Sequence, residues 1–474
     1  MKPSRRKRAI FAAQQIISPQ RKQAGSLVRR GLFGAALAAG IALAIGCGGG
    51  GSSGRGSTLQ PPPPADSFTV VTNMNSPRSG HTATRLNDGR VLIAGGSPSL
   101  APAVITRVLA TSELFDPASK SFAQSATMAT SRFGHSAVRL LDGRVLVMGG
   151  TSDCNTVLCS QTATAELFDP ATESFTSTGS MLSARTGFSA TLLQDGRILV
   201  AGGFSRFCRG FLSSCYLSSA ELFDPASGTF SSTGSMTMPR SNATATELNN
   251  GMVLIAGGQD NSGPLSTLEL FDPAKGIFTL AGNMLTPRRL HSAVALSNGD
   301  VLLAGGNGDS STLASTEVFE TSANQSTAAA SMTTPRAYHT ATLLNNGEIL
   351  FAGGESDTQL LPDSGSILAS AELFDPGSGQ FAATASMNVA RTGHTATLLS
   401  DGSVLVAGGR GRSRDPRGRR SVPPEMRTSA RFQPFCSAEI GAPGSRQESQ
   451  MPQNSVAFFC RAFESLVRGK KQWL

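Results

Sequence analysis

The five histidines of this 474-residue chain, His81, His135, His291, His339 and His394, each stand three residues after an arginine, at one position of a recurring stretch. Five imidazoles repeated around an axis could hold a metal ion or a ligand as a ring. The simpler chemistry has each histidine cap the start of its own strand by hydrogen bonding to backbone. It is preferred because Phe188 and Ala243 fill the position in two other copies. The arginines, Arg78, Arg132, Arg185, Arg240, Arg288, Arg336 and Arg391, each lie four residues after a methionine, and a glutamate recurs further on at Glu113, Glu166, Glu221, Glu269, Glu317 and Glu372. Recurrent Arg and Glu point to a structural pair, or to arginine-to-carbonyl bonds tying neighbouring loops. A patch made for one ligand has little reason to obey sevenfold repetition.

Cys154 with Cys159 and Cys208 with Cys215 form two local pairs, each inside one variable loop. In an exported protein such pairs predict disulfides that pin their own loops. A zinc site is the alternative, but C-x4-C and C-x6-C without a nearby histidine match no common ligand spacing. No nucleophile motif, phosphate loop or carboxylate pair stands out, and no cofactor or metal is expected.

The elements that must position these residues are legible as repeats. Glycine pairs at 95/96, 149/150, 202/203, 257/258, 305/306, 353/354 and 408/409 recur every 48 to 55 residues, a period typical of blade-type repeats. Before each pair a Thr/Ser/Ala-rich strand runs into Asp-Gly or Asn-Gly and then into an apolar strand, as in "HTATLLSDGSVLVAGG" from His394. The dipeptide predicts a two-residue type I′ hairpin turn. After the pair come a variable loop, "ELFDP" or a variant, and six residues past its aspartate a phenylalanine, replaced by Ser326 in the fifth copy. Asp-Pro opens a turn, so these are a third and a fourth strand. Four-stranded antiparallel sheets with two apolar faces bury both by packing radially around an axis.

The pattern resembles the kelch repeat family: paired glycines after the second strand, an aromatic in the third and another entering the fourth. The family's usual Tyr and Trp positions are mostly Phe here. The resemblance covers about residues 66–434 and implies an all-β, seven-bladed propeller. Phe68–Met74 matches the fourth strand Phe122–Met128 and precedes the first hairpin, so an N-terminal strand should complete the seventh blade and close the ring. The third strand of that blade has only the poor echo Arg431-Phe432-Gln433-Pro434, with arginine in place of glutamate. Kelch propellers are binding scaffolds far more often than enzymes. Tyr338-His339 resembles the Tyr-His strand that supplies copper ligands in galactose oxidase and glyoxal-oxidase propellers. That chemistry also needs a tyrosine crosslinked to a cysteine, and Tyr216 beside Cys215 is poorly placed for it.

The formal charge of +9 divides unevenly. Nine of the 41 basic residues lie in 1–47, and thirteen, against five acids, in 410–474; the 19 basic and 27 acidic residues between leave the repeats acidic. Nucleic acid is therefore not an expected partner. Residues 1–46 read as a signal peptide, basic and then apolar from Gly31 to Gly46, by the Sec or the twin-arginine route. Ala44-Ile45-Gly46-Cys47 resembles the lipobox of bacterial lipoproteins, which makes Cys47 the expected lipid attachment. Residues 47–65 read as a Gly/Ser/Pro tether, 66–434 as the propeller and 435–474 as a basic, poorly ordered tail. The expected product is a lipid-anchored scaffold of the cell envelope. It should bind an unknown protein or glycan through the loops Ser97 to Thr111, Thr151 to Ala163, Phe204 to Ser219 and Glu355 to Ser370. A propeller enzyme, copper radical oxidase or glycan-active, is the alternative.

Overall fold

The first hairpin shows how the repeat folds: Thr82–Arg85 pairs antiparallel with Val91–Ala94, Thr82 opposite Ala94 and Arg85 opposite Val91. The structure is a computed structural model and describes residues 67–98, 107–153, 160–206, 215–356 and 366–411. All of these lie within one unit, Pro63–Leu474. Thr111–Asp116 and Ser121–Thr127 continue the first sheet in sequence order. Five more four-stranded antiparallel sheets repeat it, with innermost strands Ser136–Arg139, Ser189–Leu192, Thr244–Glu247, Ser292–Ala295 and Thr340–Leu343. A seventh unit is a hairpin, Thr395–Leu398 with Val404–Ala407. The fold is an all-β propeller with six four-stranded blades among the described residues.

The Asp-Gly turns are one residue longer than the sequence predicts, and of a different type. In the first, Leu86 N–H donates to Arg90 O at 2.8 Å and Gly89 N–H to Leu86 O at 3.2 Å. The loop is thus Asn87-Asp88-Gly89, a type I turn followed by a left-handed glycine, φ +90°. A type I′ turn needs positive φ at the residue before the glycine too, and none of the seven Asp or Asn residues there has it. Each uses its side chain instead: Asp88 Oδ1 accepts from Arg90 N–H at 2.9 Å, and the same Asx bond recurs at Asp142, Asp195, Asn250, Asn298, Asn346 and Asp401.

The second strand of each four-stranded blade is buried on both faces. Val91, Leu92, Ile93 and Ala94 are at most 1% exposed. Leu92, Ala94 and Leu114 of the first blade pack against Val145, Val147 and Phe168 of the second, so the core lies between adjacent blades. The two aromatics of each blade stack across the third and fourth strands, as in Phe115 and Phe122 at 4.9 Å, tilted by 50°. In the fifth blade Phe319 faces Ser326.

Adjacent units are joined by one recurring backbone bond. The second glycine of each pair donates its N–H to the carbonyl of the next unit's arginine: Gly96 to Arg132 at 2.7 Å, then Gly150 to Arg185, Gly203 to Arg240, Gly258 to Arg288, Gly306 to Arg336 and Gly354 to Arg391. Gly409 to Arg78, at 2.9 Å, returns the series to its start. A Cβ on Gly95, at φ +63°, would stand 2.6 Å from Arg132 O and 2.8 Å from the His135 ring. The glycine pair is required because the next unit's Arg and His fill the space a side chain would need.

Phe68–Met74 is not a strand, contrary to expectation. It makes contacts that outer strands make elsewhere. Thr72 Oγ1 donates to Lys120 O at 3.0 Å, as Thr178 does to Gly228 O and Thr233 to Gly276 O. Val71 and Met74 pack with Leu405 and Ala407. A fourth strand pairs with a third, and among the described residues no third strand lies beside Val404–Ala407. The echo at Arg431 to Pro434 and the tail 435–474 lie outside the described residues.

Candidate functional site

Six of the seven repeated arginines are buried structural clamps. Arg132 Nη1 donates to Gly149 O at 3.1 Å and Thr164 O at 2.8 Å, while Nη2 donates to Thr164 Oγ1 and to Glu166 Oε1, both at 2.9 Å. Glu166 in turn accepts the N–H groups of Ala129 at 2.7 Å and Thr130 at 3.1 Å. One carboxylate thereby ties a third strand to the connection entering its own blade. Arg78 with Glu113, Arg185 with Glu221, Arg240 with Glu269, Arg288 with Glu317 and Arg336 with Glu372 repeat the pair at 2.5 to 2.6 Å, with both side chains buried. Burial pulls each of these guanidinium groups below its ordinary range and the glutamate opposes it. Arg391 is the exception. It donates to Gly408 O at 2.9 Å and Val389 O at 3.4 Å and has no carboxylate among the described residues.

The histidines do not cap their own strands. Their Nε2 atoms reach hydroxyls on the innermost strand of the preceding unit: His135 to Thr82 at 3.0 Å, His291 to Thr244 at 3.1 Å, His339 to Ser292 at 2.9 Å and His394 to Thr340 at 3.2 Å. His81 reaches Thr395 at 3.0 Å. Where Ala243 stands instead, Ser189 Oγ donates to the Ala243 carbonyl at 2.9 Å. Burial, and then the neighbouring arginine, push His81, His135 and His339 down to about 3, and burial and Arg391 push His394 to about 4. The imidazoles are therefore neutral. They face one another's strands rather than a common point, and no group of three or more His, Cys, Asp or Glu among the described residues could hold a metal ion.

One ring was missed in the sequence. Gly80, Gly134, Gly187, Asn242, Leu290, Tyr338 and Gly393, each one residue before the histidine position, are all left-handed, with φ between +53° and +62°. Their backbones form a collar. Gly134 N–H donates to Gly80 O, Asn242 to Gly187 O, Leu290 to Asn242 O, Tyr338 to Leu290 O, Gly393 to Tyr338 O and Gly80 to Gly393 O, at 2.7 to 3.4 Å. Thr186 Oγ1 spans the remaining step to Gly134 O at 3.0 Å. The Gly and Asn at this position were the available signal, since both tolerate left-handed backbone. Tyr338 is thus a collar residue, 44% exposed.

Beside the collar, between the third and fourth blades, is a cleft of about 310 Å³ lined by Thr186, Gly187, Phe204, Tyr216, Ser241, Asn242 and Gln259. It lies on the expected variable-loop side. The loops after the glycine pairs begin as short ladders there, such as Phe204–Ser205 with Cys215–Tyr216 and Gln259–Asp260 with Gly263–Pro264. Phe204 and Tyr216 meet edge to face at 5.5 Å. Gln259 is held from both ends: its Nε2 donates to Tyr216 Oη at 3.3 Å and its Oε1 accepts from Arg289. A side chain at Gly187 would stand 2.9 Å from Asn242 Oδ1, so glycine keeps this wall open.

Cys215 is disulfide-bonded, and its partner lies outside the described residues. Cys47, Cys154, Cys159 and Cys208 also lie outside them, as do the tips of the four predicted contact loops. Three of the residues that resemble a copper radical site are among those described. Cys215 is already engaged, His339 is buried against Ser292, and Tyr338 belongs to the collar.

Among solved structures, the chain is similar to a fungal alcohol oxidase of the AA5 family solved in complex with copper. The two share 21% identity over 73% of each chain, with a TM-score of 0.58, a likeness of fold alone. Among curated proteins none matches. Residues 134–354 match the family model for the KLHDC2/KLHL20/DRC7 Kelch-repeats domain. The glycine pairs and the four-stranded blades within these residues agree with that match to a Kelch-repeats model.

Proposed function

We propose that this chain is a non-enzymatic binding scaffold of the cell envelope, lipid-anchored through Cys47, and that its ligand is a glycan docking in the cleft between Tyr216 and Asn242. One observation carries the reading. The repeated histidines and six of the seven repeated arginines are engaged inside the ring, whereas Phe204, Tyr216 and Gln259, which line the cleft, are residue types that do not recur at their positions. Amide and hydroxyl groups from Thr186, Ser241, Asn242 and Gln259, beside the aromatic rings of Phe204 and Tyr216, suit a ligand with alternating hydroxyl and C–H faces. We read the ring as seven-bladed, with Phe68–Met74 as the outer element of the seventh blade.

The test is binding of the purified chain to a printed array of neutral and acidic oligosaccharides. Specific binding that Tyr216→Ala abolishes supports the reading, and no binding to any glycan refutes it. The anchor is tested separately by fatty-acid labelling in cells, which should mark the wild type and not Cys47→Ala.

A further inference from the structure

Among the described residues the seventh unit lacks a strand whose chemistry the other six spell out. In each four-stranded blade the third strand places a glutamate against three donors: a buried arginine and the N–H groups of the two residues after the repeated methionine. Two residues before that glutamate a Thr or Ser accepts from the arginine through its carbonyl and its hydroxyl, and from the first glycine of the pair through its carbonyl. The seventh unit presents the same donors: the Arg391 guanidinium, the N–H groups of Asn388 and Val389 after Met387, and Gly408 N–H. Among the described residues none of these meets a carboxylate or a third strand. Beside them, among the described residues, the edge of Val404–Ala407 is unpaired on the side away from Thr395–Leu398. Phe68, Val404 and Val406 all pack against the buried cluster of Leu350, Ala352, Ala371 and Met387, and Asn388 Nδ2 donates to Phe68 O at 2.9 Å.

We propose that this slot is a peptide-binding site that takes, as the third strand of the seventh blade, an extended partner segment of the pattern Ser/Thr-x-Glu-Leu-Phe-Asp. The main chain of the partner pairs with Val404–Ala407, and its glutamate receives Arg391, Asn388 N–H and Val389 N–H. Such strand addition draws affinity from backbone bonds and specificity from the alternate side chains. The chain's own echo at Arg431, outside the described residues, would set one guanidinium against another. A glutamate-bearing strand from a partner is therefore the better complement. This inference concerns a different site from the cleft and stands independently of it.

The test uses the full chain and a fluorescent peptide copying Ser370 to Gly379. Anisotropy should report saturable binding at one site, and amide hydrogen exchange at Val404–Ala407 should slow when the peptide is added. The peptide with Glu372→Gln should bind about tenfold more weakly or worse, the scale of a lost charged hydrogen bond. Arg391→Gln in the protein should make the two peptides equivalent. The proposal is overturned if neither peptide binds, or if both bind the wild type equally. It is also overturned if Val404–Ala407 is equally protected without peptide, which would mean that the chain's own residues fill the slot.

Discussion

His81 Nε2 lies 3.0 Å from Thr395 Oγ1, joining residues 314 apart in the chain and linking the first unit to the last. The same histidine-to-hydroxyl bond joins four other neighbouring pairs of units, so closure uses the contact that builds the ring rather than a special device. His81→Phe and Thr395→Val should each cost about 1–2 kcal/mol, because each removes one partner of a buried hydrogen bond. The double variant should cost less than the sum of the two. Urea unfolding of the four proteins checks this.

Acid should weaken the fold through the histidines. Their folded values lie well below the ordinary 6.5, so between those values the unfolded chain binds protons that the folded chain refuses. The stabilisation is complete above pH 6.5 and is lost as pH falls towards about 3. Between pH 7.5 and 5 the loss is roughly 2 kcal/mol for each of His81, His135 and His339. His135→Phe should show a smaller acid loss than the wild type; a urea midpoint that is flat over this interval would contradict the assignment.

Removing one half of an Arg–Glu clamp should be expensive. Glu269→Ala leaves the buried Arg240 guanidinium, along with Thr237 N–H and Met238 N–H, without its carboxylate acceptor, at a cost of about 3–5 kcal/mol. Chemical denaturation measures it.

The two kinds of recurring glycine should separate by what surrounds them. Gly347 has φ +89° and nothing within 4 Å of where a Cβ would stand, whereas Gly95 would drive its Cβ into Arg132 O. Gly347→Ala should therefore cost only backbone strain, about 1 kcal/mol, and Gly95→Ala at least about 3 kcal/mol. Thermal melting of the two variants ranks them.

The blade, its four strands and the unit count were legible because the apolar second strand, the glycine pair and the Asp-Pro turn recur in register. The turn type was not. Asp-Gly fits both a two-residue and a three-residue loop, and only the pairing of Leu86 with Arg90 tells them apart. The histidine partners were hidden for another reason: each lies on a different unit, 47 to 54 residues away or, for His81, at the far end of the domain. Asn242 and Tyr216 could not be joined into one cleft from sequence, because the loop bearing Tyr216 has no fixed length to align.

If repeated residues build the ring and the cleft residues that do not recur do the binding, the two roles should come apart at Tyr216. Oligosaccharide binding and melting temperature measured together for Tyr216→Ala decide the matter. Binding to the array glycans should be lost while the melting temperature stays within a few degrees of the wild type. Retained binding, or binding lost only because the variant unfolds, would show that this division of labour is wrong.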